Sequence, residues 1–174
     1  PIHIKNTFNP TSLGTIISNG SKKQKNHIKG ISSIHDIAVL RIQGSGMIGV
    51  PGISMRLFGA LAKEKINVIM ITQASSEHSI CIAVTSKDAL NSKRTIEEEF
   101  NLERSAHLID DISVEQNLSI IAAVGENMKR RKGVASALFQ ALAKNNVNVV
   151  AIAQGSSELN ISVVINKTDE TKAL

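Results

Sequence analysis

Slid against itself at an offset of 81 residues, the sequence aligns residues 37–86 with residues 118–167 without a gap. Gly44 matches Gly125, Gly52 matches Gly133, Leu57-Phe58 matches Leu138-Phe139, and Ala60-Leu61-Ala62-Lys63 matches Ala141-Leu142-Ala143-Lys144. The agreement continues through Asn67-Val68 with Asn148-Val149, Gln73 with Gln154, and Ser75-Ser76-Glu77 with Ser156-Ser157-Glu158; seventeen of the thirty-seven positions from 44 to 80 are identical. Chance does not produce that, and a chain so built folds as two versions of one supersecondary unit.

Each copy opens with an apolar, β-branched run of strand length, Ile37 to Ile42 or Leu118 to Val124, that ends at a glycine. A glycine-bearing loop leads to a helix whose apolar residues recur at every third or fourth position: Ile53, Leu57, Phe58 and Leu61, or Val134, Leu138 and Leu142. Pro51 suits the first helical turn, where its missing N–H costs nothing. Asn67 to Thr72 and Asn148 to Ala153 then read as strands apolar on both faces, so something must cover the second face. A short polar turn from Ser75 or Ser156 joins each to an antiparallel neighbour, Ile80 to Val84 or Ile161 to Ile165. In the first copy Ser86 is placed to cap a second helix through Leu90, Ile96 and Phe100, and His107 to Val114 supplies a fourth strand. The order is βαββαβ, an α/β (α+β) sandwich of the ferredoxin-like kind.

The chain thus divides into a connector at residues 1–30, a first unit at 31–115 and a second at 116–174. The second stops near Asp169, where its own second helix begins, so its last strand is expected to be missing or supplied by swapping. Starting at Pro1 and stopping at Leu174, the sequence reads as an internal fragment. No apolar run reaches the roughly 18 residues of a membrane span, no signal peptide is present, and the lone Cys81 fits a reducing compartment; a cytoplasmic parent is expected.

A net charge of +5 raises nucleic acid as a partner, through Lys22, Lys23 and Lys25 or Lys129 to Lys132. With four Phe and no Trp or Tyr, stacking platforms are scarce, and short basic runs of this kind are solvated loops. Gly44-Ser45-Gly46-Met47-Ile48-Gly49 spells the dinucleotide fingerprint, but the next strand ends at Gln73 instead of an acid, and the matching loop from Gly125 to Gly133 has lost the pattern. Ser76, Glu77 and His78 are adjacent in a tight turn and point apart, unlike a catalytic triad. The histidines at 3, 27, 35, 78 and 107 have no metal-ligand spacing with Cys81, which reads as a packed small residue. Glu97-Glu98-Glu99 reads as the wet face of a helix, and no pair of carboxylates is arranged for acid and base work; neither catalysis nor a metal site is expected.

Binding chemistry concentrates at Gln73 and Gln154, each the last residue of a central strand with Ile71 or Ile152 on its side. A carboxamide donates and accepts, so it can bond a ligand's hydroxyl or carboxylate without burying a charge; the alternative is an amide that satisfies a backbone group at a strand end. The loops at Gly49-Val50-Pro51-Gly52 and Lys132-Gly133 offer free N–H groups and a positive helix end suited to a carboxylate, or are tight turns with no ligand. Asn67 and Asn148, retained in both copies, complete the candidate set.

The stretch Gly46 to Gly52, followed by Asn67-Val68-Ile69-Met70-Ile71-Thr72-Gln73-Ala74-Ser75-Ser76-Glu77, resembles the first ACT domain of bifunctional aspartokinase/homoserine dehydrogenases. Ala151-Ile152-Ala153-Gln154-Gly155-Ser156-Ser157-Glu158 with Ile161 to Val164 is similar to their second, and Lys5-Asn6-Thr7-Phe8-Asn9-Pro10 with Gly14-Thr15 resembles the junction leaving the kinase domain. The resemblance implies feedback inhibition by threonine, with Gln73 and Gln154 as effector contacts, in an intertwined pair of units with the second inserted into the first. It also implies homodimers or higher oligomers formed by ACT units side by side, which would cover the doubly apolar strands. Cofactors (ATP with Mg, and NAD(P)) are expected only in catalytic domains outside these residues. The competing readings are a lysine-responsive unit, a ligand-free dimerisation scaffold and, more distantly, a basic nucleic-acid binder.

Overall fold

The structure, a computed structural model, describes residues 1–18, 28–75, 77–125, 128, 131–155 and 159–174. In chain order its elements are β1 (Ile2–Ile4), β2 (Thr15–Ile17), β3 (Gly30–Gln43), α1 (Ile53–Lys63), β4 (Met70–Gln73), β5 (Ser79–Thr85), α2 (Ala89–Glu99) and α3 (Asn101–Ser105). There follow β6 (Ser113–Val124), α4 (Val134–Lys144), β7 (Val149–Gln154), β8 (Asn160–Asn166) and α5 (Glu170–Ala173). Strands β1 and β2 form an exposed hairpin of their own; the other six make one antiparallel sheet in the order β4-β5-β3-β6-β8-β7.

Two long strands, β3 and β6, run through the middle of that sheet and belong to both repeats. Ile37 to Gln43 of β3 pairs with β5, and Val39 to Arg41 pairs with Ser113 to Glu115 of β6, which gives the first unit its four strands. Leu118 to Val124 of β6 pairs with β8, and Gly30 to Ile34 of β3 lies along Ile120 to Val124, which gives the second unit its four. The last strand expected to be missing or swapped in from elsewhere is therefore Gly30 to Ile34 of the same chain. The first unit is one continuous stretch, residues 37–115, set between the two stretches that form the second, 30–34 and 118–174; the units are intertwined, but the first is inserted into the second, the reverse of the expectation. Both long strands bend where they change unit: Asp36 and Asn117, equivalent at the 81-residue offset, have left-handed φ of 55° and 59°, and the β3/β6 register shifts at Ile37.

Helix α1 buries Ile53, Leu57, Ala60 and Leu61 against Leu40, Ile42, Ile80 and Ile82, with Ile96 and Phe100 of the α2 layer completing the core. Helix α4 does the same with Leu138 and Leu142 against Ile121, Ile161 and Val163. Between the two halves of the sheet lies a third core, where Ile37, Val39, Met70 and Ala83 of one unit meet Leu118, Ile120 and Val164 of the other. This core covers part of the second face of the doubly apolar strands, while Ile71 of β4 and Ile152 of β7 stay exposed. The sheet curls around this core until its edge strands β4 and β7 approach each other.

Several local boundaries also differ from expectation. Helix α1 begins at Ile53 behind a left-handed Gly52 (φ 90°), so Pro51 stands in the preceding turn and not in the helix. Ser86 opens a short 3-10 turn without capping α2; Thr85 Oγ1 bonds the Asp88 carboxylate there at 2.7 Å. His107 to Asp111 is a loop, with His107 left-handed, and the fourth strand starts only at Ser113. Both main helices end in Schellman turns: the Ile66 and Val147 N–H groups donate to the Leu61 and Leu142 carbonyls at 3.0 and 2.9 Å, with Lys65 and Asn146 left-handed between. Asparagine adopts that conformation with little strain, lysine with more. Lys65→Gly is expected to raise the unfolding free energy by about 1 kcal/mol, and Asn146→Gly by less; a urea midpoint for Lys65→Gly at or below the parent's would contradict this.

Helix α5 is tied to the bend in β3. His35 Nδ1 lies 2.7 Å from Glu170 Oε1, Ser119 Oγ donates to Glu170 Oε2 at 2.8 Å, and Lys167 Nζ meets Asp36 Oδ1 at 2.6 Å. The His35 contact holds the Glu170 carboxyl below the usual carboxylate range against the opposing effect of its burial.

Candidate functional site

Gln73 and Gln154 end β4 and β7 at corresponding positions, and these are edge strands, a correction to the expectation of central ones. Because the sheet curls, these strand ends border a common cavity of about 510 Å³ that takes Ile71, Thr72 and Gln73 from one unit and Ile152, Ala153 and Gln154 from the other. Asn160 and Ser162 of β8 and Gly155 complete its wall. Both carboxamides are solvent-exposed.

Gln73 also lines a second cavity of about 490 Å³, walled by the loop Gly49 to Gly52, the first turn of α1 at Ile53 to Met55, and Met47, Glu77 and Ile80. Among the described residues the Glu77 carboxylate is the one formal charge in that wall, and its Oε2 accepts the Gly49 N–H at 3.0 Å. Gly49 (φ 68°) has open space beside its Cα, so its left-handed backbone, not crowding, is what the glycine serves.

Of the residues marked out in the sequence, the first cavity thus gathers Gln73, Gln154, Ile71 and Ile152, and the second gathers Gly49, Gly52 and Gln73. Asn67, Asn148 and Gly133 are exposed and line neither. Gly133 has the left-handed φ of 92° that Gly52 has at the start of its helix, so its retention has a backbone cause. Thr72, Asn160 and Ser162 carry no repeat signal and were not anticipated. Glu77 carries one, being matched by Glu158, but a repeat signal in a turn does not distinguish a cavity residue from a turn residue.

The nucleotide-like loop has a packing explanation. A Cβ on Gly44 would meet the Leu108 carbonyl oxygen at 2.2 Å, and one on Gly46 would meet Leu108 Cβ at 2.6 Å. The Gly46 N–H donates to that same carbonyl at 2.8 Å. The glycines thus serve the close approach of Leu108 and Ile109. Of the serine, glutamate and histidine in the turn, Ser76 lies outside the described residues, as do 156–158, while Glu77 turns to Gly49 and the His78 carbonyl accepts from Gly44 N–H. Cys81 lies partly buried between the sheet halves, opposite Thr72. Among the described residues no three His, Cys, Asp or Glu side chains converge on a metal position, and no helix is long and apolar enough to cross a membrane. Glu97 and Glu98 pair with Lys93 and Arg94 one turn back, but Glu99 is no wet-face residue: it is partly buried against Arg56 of α1.

The sequence model of the ACT domain matches residues 40–100 and 121–174. The chain is 42% identical over its whole length to the bifunctional aspartokinase/homoserine dehydrogenase of Haemophilus influenzae, of which it covers 21%. It is likewise 42% identical to the chloroplastic bifunctional aspartokinase/homoserine dehydrogenase of Daucus carota, of which it covers 20%. It therefore spans about a fifth of the length of these curated relatives. Among solved structures, the aspartate kinase of Clostridium acetobutylicum superposes on 99% of this chain with a TM-score of 0.86 at 28% identity, over 40% of its own length.

Proposed function

Since the chain belongs to the ACT-domain family, we propose that it is the amino-acid-sensing regulatory part of an aspartokinase joined to a homoserine dehydrogenase, and that its effector is threonine. The observation that carries this is the glutamine kept at the end of β4 and again at the end of β7, each at the rim of a cavity that borders both repeats. A carboxamide can donate to a carboxylate and accept from a hydroxyl, which suits a small hydroxy amino acid. The adjoining Gly49 to Gly52 loop brings backbone N–H groups and the N-terminal end of α1 to the second cavity, where a carboxylate is stabilised.

On this reading the chain catalyses nothing itself. Phosphoryl and hydride transfer, with their nucleotide cofactors, take place in catalytic domains outside these residues. The effector acts by binding one arrangement of the paired units more tightly than another, and the attached domains respond to the shifted population. Association of like chains through their ACT sheets would multiply the sites, since β4 and β7 each hydrogen-bond to one neighbouring strand.

Titration calorimetry with threonine, using lysine and methionine as controls, tests the proposal. Gln73→Ala and Gln154→Ala are each expected to weaken threonine binding about 10- to 100-fold, the loss of one to two hydrogen bonds to a charged or hydroxyl group. The absence of heat with any of the three amino acids would overturn the sensing function and leave a scaffold.

A further inference from the structure

One loop N–H that lines the second cavity, that of Gly49, already has a carboxylate partner. Glu77 stands in the turn between β4 and β5, with a left-handed φ of 55°, and aims its carboxylate at Gly49 N–H, 3.0 Å away. Gly49 has no protein atom within 4 Å of where a Cβ would sit, so the loop is open on that side. Among the described residues no other charged side chain lines the cavity, and Gln73 lies on the same wall. The chain itself therefore places a carboxylate where a free amino acid would place its own.

We propose that Glu77 is an affinity-setting residue: in the empty site its carboxylate fills the position of the effector's carboxylate, and binding requires that it be displaced. This rests on the sensing function proposed above. The exchange is between two carboxylates on one N–H donor, so no net hydrogen bond is gained there, and binding strength must come from the other contacts, Gln73 among them. Displacement also frees the β4–β5 turn from the Gly49 loop. Occupancy is thereby coupled to the freedom of the segment that joins the two strands.

The test uses the 174-residue chain. Glu77→Ala keeps a non-glycine residue in the left-handed position, so it removes the carboxylate without changing the backbone demand. It is expected to bind threonine about three- to tenfold more tightly than the parent, with Glu77→Gln between the two, because an exposed hydrogen bond to a charged group no longer has to be broken. In parallel, the Gly49 amide resonance of the free parent is expected to move upfield in Glu77→Ala, because the hydrogen bond from Gly49 N–H to the carboxylate is lost. Equal or weaker binding by Glu77→Ala, or a Gly49 resonance indifferent to the substitution, would overturn the assignment while leaving the sensing function standing. No amino-acid binding by parent or variant would remove the sensing function and this role together.

Discussion

Gly44→Ala is expected to cost about 3 kcal/mol or more of stability, because the added methyl meets backbone and not a side chain that can swing away. Its Cβ would lie 2.2 Å from the Leu108 carbonyl oxygen and 2.6 Å from Ile109 Cα. With φ at 161° and ψ at 156°, Gly44 is in extended backbone open to any residue, so the whole cost is steric. Either β3 or the loop that carries the chain from α3 into β6 must shift, and both are fixed by bonds between Gln43 and Asp110, N–H to carbonyl at 2.8 Å and side chain to side chain at 3.1 Å. Gly49→Ala, in open space but at φ 68°, is expected to cost only about 1 kcal/mol. Denaturant midpoints for the two variants rank them, and a Gly44→Ala protein as stable as Gly49→Ala would refute the packing explanation. A dinucleotide loop would give a different pattern, with stability kept and ligand binding lost.

Arg56→Ala should be nearly as damaging. From α1 the guanidinium donates through Nε to Glu99 Oε1 and through Nη2 to the Glu99 carbonyl, both at 2.8 Å, and through Nη1 to Glu103 of α3. It also lies 4.7 Å above the centroid of the buried Phe100 ring. Truncation leaves two partly buried carboxylates without their cation, for an expected loss of about 2–3 kcal/mol. Lysine at this position restores the charge but not the planar fork, and should recover about half of it. The effect has a sign in pH. Arg56 holds the Glu103 carboxyl below its ordinary value of 4.5, against the opposing effect of burial. A carboxyl depressed in the folded state contributes stability that is present above its unfolded value and lost as pH falls through the folded one. The gap between parent and Arg56→Ala should therefore be widest at neutral pH and narrow in acid. Urea midpoints at both would show it, and a gap that widens in acid would sink the account.

Neither of these residues was flagged by the sequence, and the reasons differ. Gly44 was visible as a retained glycine, but what crowds it lies more than sixty positions away, and no local pattern points there. Arg56 is matched by Ala137 in the second copy, so a reading guided by the repeat passes over it. The cores were legible because helical spacing alone puts Leu57 and Leu61, or Leu138 and Leu142, on one face. The apolar content of the strands at 67–72 and 148–153 was legible too, although they are the edge strands β4 and β7 and their Ile71 and Ile152 stay exposed. What provides the cover was not, since apolar content tells that a face is dry and not which face meets it. Gly30 to Ile34 was missed as a strand because its sequence, Gly-Ile-Ser-Ser-Ile, has little apolar signal; it is held by the ladder to Ile120 to Val124. At the site, retained glutamines and glycines were readable by their chemistry. Asn67 and Asn148 were retained too, and retention alone could not separate a ligand contact from a turn.

The sharing of β3 and β6 means that no single cut divides this chain into its two repeats. A nick in the loop between α3 and β6 would release two pieces, each holding a strand that finishes the other's sheet, and they would remain interlocked until both came apart. Melting should accordingly proceed in one cooperative step. On the proposed sensing function, an amino acid lodged at the seam would tighten both halves at once, because neither half can change shape without dragging on a rail that the other is built around.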